Sequence, residues 1–117
     1  MGRVYLHDLR VPTLIGVEES ERRAPQEVLV SLDLEMDLEP AATSDDLGDA
    51  LDYAALSALV RAHGAASRFH LLEAFAGSVA ALALERFPRL QAVTVRVEKP
   101  QAVPEARTVG VELQRRR

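Results

Sequence analysis

Cysteine, tryptophan and asparagine are absent from the 117 residues, and lysine occurs once, at Lys99, while the other 13 of the 14 basic side chains are arginine. Without cysteine there is no disulfide, thiol nucleophile or thiolate metal site. The chain also lacks any apolar run approaching the roughly 20 residues a membrane helix needs. Its N-terminus, where Asp8 soon follows Tyr5 and Leu6, lacks the pattern of a signal peptide. A cytoplasmic location is expected, with no membrane partner. Nor is there a cationic excess: 18 acidic side chains give a net charge of −4. That disfavours nucleic acid as a partner, because binding there rests on displacing counterions from phosphates. The Arg115-Arg116-Arg117 run reads as a solvated tail. The six glycines are scattered, so no Gly-rich loop cradles a phosphate. His7, His63 and His70 form neither an i, i+4 pair nor an HxH, and no metal site is expected.

With 48% hydrophobic residues the chain can bury a core without staples, and one domain over residues 1–117 is expected. Val4 to Val17 carries rough apolar alternation, with Pro12 marking an edge strand or a bulge. From Val28 to Leu38 the alternation is clean, with Val28, Val30, Leu32, Leu34 and Met36 on one face against Ser31, Asp33 and Glu35 on the other. Glu18 to Gln26, holding Pro25, is a polar connection, so the two strands form a hairpin with a long loop. Pro40 to Asp52 reads as a structured loop. Asp52 can N-cap a helix from Tyr53 to about Ala66, with Leu56, Leu59, Val60 and His63 on one face. A second helix runs from about Leu71 to Phe87, striped by Leu72, Phe75, Ala76, Val79, Leu82 and Ala83, and Pro88 ends it. Val93, Val95 and Val97, then Val109, Val111 and Leu113, mark two final strands.

The order ββααββ predicts an α+β layer, a four-stranded antiparallel sheet with two helices on its apolar face. The other face, with Asp33, Glu35, Arg96, Glu98 and Glu112, meets water or a polar cavity. Two open edges call for management. Pairing edge to edge between identical subunits closes the sheets into a barrel, so a ring-shaped homo-oligomer is expected.

Four polar residues are candidates for chemistry: Glu21 in the first loop, Tyr53 at the start of the first helix, Glu73 in the first turn of the second, and Lys99 at the end of the third strand. Singly, each has a bland reading as a loop charge, a packing ring, a complement to the helix dipole and a surface cation. Three of the four stand at element ends, where scaffolds present functional side chains. Lys99 is the sharpest case. Arginine stays protonated in proteins, whereas a desolvated or suitably neighboured lysine can release its proton near neutral pH.

Around these residues the sequence resembles the dihydroneopterin aldolases of folate biosynthesis, which have the tunnelling fold. The matching pieces are Ile15-Gly16-Val17 with Glu21 and Pro25-Gln26; Ser44-Asp45-Asp46-Leu47; Asp52-Tyr53; Phe69-His70-Leu71-Leu72-Glu73; Lys99-Pro100-Gln101-Ala102; and Val109-Gly110-Val111. They keep the family order and spacing across nearly the whole chain. The resemblance implies retro-aldol cleavage of 7,8-dihydroneopterin, a pterin substrate, to 6-hydroxymethyl-7,8-dihydropterin and glycolaldehyde. It implies Glu73 as pterin anchor, with backbone near Leu72 and near Leu51 or Val17 of a neighbouring subunit completing ring recognition. Lys99 is implied as general base or proton relay, Glu21 as its carboxylate partner, and Tyr53, from an adjacent subunit, as an aid to proton transfer. It further implies no cofactor, neither metal nor Schiff base, and a tetramer or octamer with sites between subunits. Where this chain has His70, family members often carry another polar residue. Two rivals accompany this reading. One is a dihydroneopterin triphosphate 2′-epimerase, for which Arg22, Arg23 and Arg107 would form a basic rim. The other is a non-catalytic pterin-binding oligomer.

Overall fold

A computed structural model describes residues 1–117. Four strands, β1 (Gly2–Thr13), β2 (Gln26–Met36), β3 (Ala92–Lys99) and β4 (Val109–Arg116), form one sheet in the order β1-β2-β3-β4, every pair antiparallel. Three helices intervene between β2 and β3: α1 (Glu39–Ser44), α2 (Tyr53–Ala66) and α3 (Leu72–Arg86). Thus the central strands pair directly, and the whole helical excursion returns the chain to the neighbouring position in the sheet. No helix is long and apolar enough to cross a membrane.

The period-2 alternation sets the layers. Val28, Val30, Leu32, Leu34 and Met36 of β2, with Val93, Val95 and Val97 of β3, are buried beneath the helices. Each such burial contributes roughly 1.5–3 kcal/mol. From α2, Leu56, Val60 and Gly64 enter this core; from α3, Phe75, Ala76, Val79, Ala80 and Ala83 do so. The expected α2 stripe is therefore shifted: Leu59 and His63 are half-buried, and Gly64 takes the innermost position. A Cβ at Gly64 would collide with Val11 Cγ1, so its absence lets α2 approach β1. His63 stacks on Phe75 and meets Ser78 Oγ at 2.8 Å, and burial lowers its pKa. Since Ser78 donates its hydroxyl proton to the Phe75 carbonyl at 2.7 Å, the imidazole Nε2 is the donor to Ser78.

Several expectations are corrected. β1 stops at Thr13 rather than reaching Val17, because Gly16 adopts φ +140° and turns the chain. Pro12 does lie on an edge strand, and the bulge in that strand falls elsewhere, between Leu6 and Leu9, where Asp8 has φ 58° and its N–H donates to Ser31 Oγ. Part of the expected loop from Pro40 to Asp52 is helical, as α1 and a 3₁₀ turn at Leu47–Asp49, and the polar connection contains another 3₁₀ turn at Glu19–Arg22. The terminal arginines are not a free tail. Arg115 and Arg116 belong to β4, Arg116 pairs with Glu35 at 2.9 Å, and the Arg117 guanidinium donates to the carbonyls of Leu84, Phe87 and Leu90.

Candidate functional site

Where β1 and β3 end and β2 begins, the apolar stripe of the two central strands runs out. Alternation puts Gln26 on the face of Val28 and Val30, and Lys99 on that of Val95 and Val97, so both polar residues continue rows that are otherwise buried. Lys99 is only 15% exposed, and its Nζ donates to Glu21 Oε2 at 2.6 Å. Glu21 belongs to the 3₁₀ turn, whose capping box has the Glu18 N–H donating to Glu21 Oε1 at 3.3 Å. Gln26 Nε2 donates both to Glu21 Oε2 at 3.2 Å and to the Ile15 carbonyl at 2.8 Å.

The floor under this carboxylate is Gly16. A Cβ on Gly16 would lie 2.5 Å from Glu21 Cβ and Oε1, and its positive φ disfavours any L side chain. The ammonium of Lys99, and then the Gln26 and Glu18 hydrogen bonds, hold the Glu21 carboxyl below its ordinary value against a smaller opposing effect of burial. Glu21 therefore stands as a carboxylate that fixes the amine, and is not the proton donor at neutral pH. The pair opens into a cavity of about 770 Å³ whose charged lining is Glu18, Glu21, Glu27 and Lys99, with Gln26, Gln101 and Ser20 adding neutral polar groups.

The loop between α2 and α3 is tied to the same end. Gly16 N–H donates to the Phe69 carbonyl at 3.3 Å, and Arg22 donates to the carbonyls of Gly16, Phe69 and Arg68 at 3.2, 2.8 and 2.8 Å. Leu72 and Glu73 open α3 just beyond this tie, with Glu73 exposed in the first turn. Leu71 is the N-cap and has no side-chain cap bond, which leaves first-turn N–H groups available. His70 is exposed and does not cap α3.

Glu21 and Lys99 are thus brought together, and Glu73 and Leu72 are tethered to the same loop cluster. Of the other candidates, none of Glu73, Leu72, Tyr53, Leu51 and Val17 is among the residues lining the cavity. Tyr53 opens α2, whose 14 residues put about 20 Å between it and the end that meets the loops. It is 64% exposed, Val17 is 69% exposed, and the Leu51 side chain is buried in its own chain. The roles of Gln26 and Arg22 escaped the reading of individual residues. Gln26 was legible in principle, since a polar residue in phase with Val28, Val30 and Leu32 has to find partners. Arg22 was not, because its acceptors are backbone carbonyls 46 and 47 residues away. None of Arg22, Arg23 and Arg107 lines the cavity: Arg22 donates to carbonyls, Arg107 borders a separate groove beside β4, and Arg23 is exposed and lies 3.7 Å from Glu19. No three His, Cys, Asp or Glu side chains converge as metal ligands would.

Comparison with known proteins follows the same lines. The dihydroneopterin aldolase of Escherichia coli K12 is 37% identical over 115 residues, spanning 98% of this chain and 93% of its own. A dihydroneopterin triphosphate 2′-epimerase of Pseudomonas aeruginosa is 32% identical over 113 residues, spanning 97% of this chain and 91% of its own. Among solved structures, the E. coli dihydroneopterin aldolase in complex with neopterin superposes with a TM-score of 0.93 at 37% identity, over 98% of this chain and 99% of that one. The dihydroneopterin aldolase of Burkholderia thailendensis bound to guanine gives 0.81 at 31% identity, over 98% and 90%. The family profile FolB, dihydroneopterin aldolase, matches residues 4–114, and the chain belongs to the dihydroneopterin aldolase family.

Proposed function

We propose that the chain cleaves 7,8-dihydroneopterin by a retro-aldol reaction, as a lyase that uses neither metal nor Schiff base. The observation that carries this reading is the 2.6 Å contact between Lys99 and Glu21 at the mouth of a cavity of about 770 Å³. Cleavage of the bond between C1′ and C2′ requires loss of the 2′-hydroxyl proton and an electron sink beside C1′. Other aldolases build that sink from a lysine Schiff base or a metal. In 7,8-dihydroneopterin the ring C=N is already bonded to C1′ through its carbon and takes the electron pair as the C1′–C2′ bond breaks, leaving an enamine that is protonated to give 6-hydroxymethyl-7,8-dihydropterin. Glycolaldehyde departs with C2′ and C3′. The protein then has only to hold the ring and move protons.

Lys99 serves as the proton-transferring group toward the 2′-hydroxyl, through a water, with Glu21 and Gln26 fixing its amine. Such a step contributes ~10²–10⁴-fold. Glu73 serves as the pterin anchor. Neopterin and guanine, the ligands of the two related structures, share the 2-amino-4-oxopyrimidine edge, whose ring N–H and amino group present two donors side by side. A carboxylate accepts such a pair in the same planar fork it offers a guanidinium. Glu73 stands in the first turn of α3, beside the helix's free N–H groups, and the backbone at Leu72 adds a further contact.

Tyr53 and the backbone at Leu51 and Val17 complete the site from a neighbouring subunit. Support comes from the length of α2, the exposure of Tyr53 and Val17, and the unpaired outer edges of β1 and β4. A ring-shaped tetramer or octamer with a polar barrel interior satisfies those edges. One domain over residues 1–117 and a cytoplasmic location belong to the same proposal. Of the two activities in the family, the acidic cavity lining favours the unphosphorylated substrate, since three carboxylates face one ammonium where a triphosphate would need cations. The test is to incubate the purified protein with 7,8-dihydroneopterin and with its triphosphate, in chelator, and to measure glycolaldehyde and the 2′-epimer. Release of glycolaldehyde from the unphosphorylated substrate is expected. Its absence sinks the proposal, and borohydride trapping of a covalent adduct would contradict the mechanism.

A further inference from the structure

Gly16 holds up Glu21, and both of its backbone polar groups are committed: its N–H to the Phe69 carbonyl, its own carbonyl to Arg22. Arg22 is half-buried and forms no ion pair, although Glu18, Glu19 and Glu21 lie within four residues of it. Instead one nitrogen bridges Gly16 and Phe69 across the two loops, and the other reaches the Arg68 carbonyl. The Phe69 ring in turn packs against buried Phe75 of α3, with ring centroids 6.3 Å apart. The anchorage of the α2–α3 loop in the core thus passes through the Arg22 guanidinium, beside the single Gly16 N–H bond, to the 3₁₀ turn that carries Glu21. Four residues beyond Phe69 stands Glu73.

We infer that Arg22 is a positioning residue for the reaction: it clamps the turn that aims Glu21 at Lys99 onto the loop that launches Glu73, so that the proton-transferring pair and the ring anchor are held in one frame. The inference rests on the aldolase reading above. A fixed planar fork with five donors can span three carbonyls on two loops, whereas a lysine ammonium at the end of a flexible stem cannot hold them in one plane. A shift of about 1 Å at either loop is enough to cost ~10²-fold in rate.

Lys99 provides a readout that needs no substrate, because it is the sole lysine and its amine can be followed by acetic anhydride labelling and peptide mass mapping. Arg22→Met and Arg22→Lys are compared with the unaltered protein, and Glu21→Gln marks full loss of the pair. In Arg22→Met, Lys99 acetylation is expected to accelerate toward the Glu21→Gln level. Turnover of 7,8-dihydroneopterin is expected to fall about 10- to 100-fold, with KM raised as well. Arg22→Lys should lie between the two, and it carries the comparison should the methionine variant not fold. Labelling and kcat indistinguishable from the unaltered protein in the folded variants would overturn the inference. If the unaltered protein itself shows no turnover, the aldolase reading fails, while the labelling comparison still decides whether Arg22 holds the pair.

Discussion

Arg96 and Lys99 stand three residues apart on β3, and each holds a carboxylate. Arg96 meets Glu112 across the β3–β4 ladder at 2.9 Å, with 56% and 53% of the two side chains exposed, whereas Lys99 meets Glu21 at 2.6 Å with 15% and 27% exposed. The difference begins in strand phase. Arg96 falls on the open face, where a partner directly opposite in the register is enough. Lys99 falls on the helix-facing row, where it must be supplied with a carboxylate from a loop 78 residues away, and that loop needs Gly16, Gln26 and Arg22 to hold it. An exposed pair between strands costs the fold little and contributes little. The sheltered pair ties up a strained glycine and a buried-row glutamine, an expenditure that makes sense at a place where chemistry is done.

Breaking the sheltered pair is expected to have the largest effect. Glu21→Gln should lower kcat about 10²-fold or more while the protein stays folded, as read from steady-state glycolaldehyde release. Gly16→Ala attacks the same carboxylate from below. It should cost about 1–3 kcal/mol in denaturant unfolding through its positive φ and displace Glu21 in the process. Glu73→Ala should leave the Lys99–Glu21 pair intact and weaken neopterin binding by about 1.5–3 kcal/mol, measured by calorimetry.

Acid separates two half-buried titrating groups, His63 and Glu21. Burial holds His63 below its ordinary value of 6.5, so the folded state resists a proton that the unfolded chain accepts. Its contribution is complete above that value and fades as pH falls toward the lowered folded one. The Glu21 contribution is complete above its ordinary 4.5 and is lost as pH falls through its own lowered value. Thermal melts should therefore decline first below about pH 6.5, a loss that His63→Gln removes, and again below about pH 4.5, a loss that Glu21→Gln removes. The smallest effect is expected at the exposed pair: replacing Arg96 and Glu112 together by Gln should leave kcat unchanged and Tm nearly so.

The four strands and the long helices were legible because their periodicities are strong. The expected span of α2 matches, and that of α3 differs by one residue at each end. What escaped was set by long-range partners. Asp8 becomes a bulge residue because Ser31 across the ladder takes its N–H, and nothing beside Asp8 in the chain signals it. Arg117 becomes a cap on the α3–β3 connection only when β4 delivers it there. Lys99 was conspicuous by composition and Glu21 by resemblance. The reason for their contact, that Lys99 and Gln26 end the two buried central-strand rows and both donate to Glu21, emerges from register and burial together. Tyr53 illustrates the converse: the sequence names it, and the fold of one chain leaves it a helix length from the loops.

The central claim is that a single lysine, held by Glu21, moves the proton that breaks the bond between C1′ and C2′. Its most direct measurement is glycolaldehyde release from 7,8-dihydroneopterin by the unaltered protein and by Lys99→Arg, with neopterin affinity measured on both. The account predicts turnover without added metal in the first, and in the second a kcat lowered by ~10²–10⁴-fold with neopterin affinity retained. Full turnover in Lys99→Arg, which keeps the positive charge and cannot give up its proton, would contradict it.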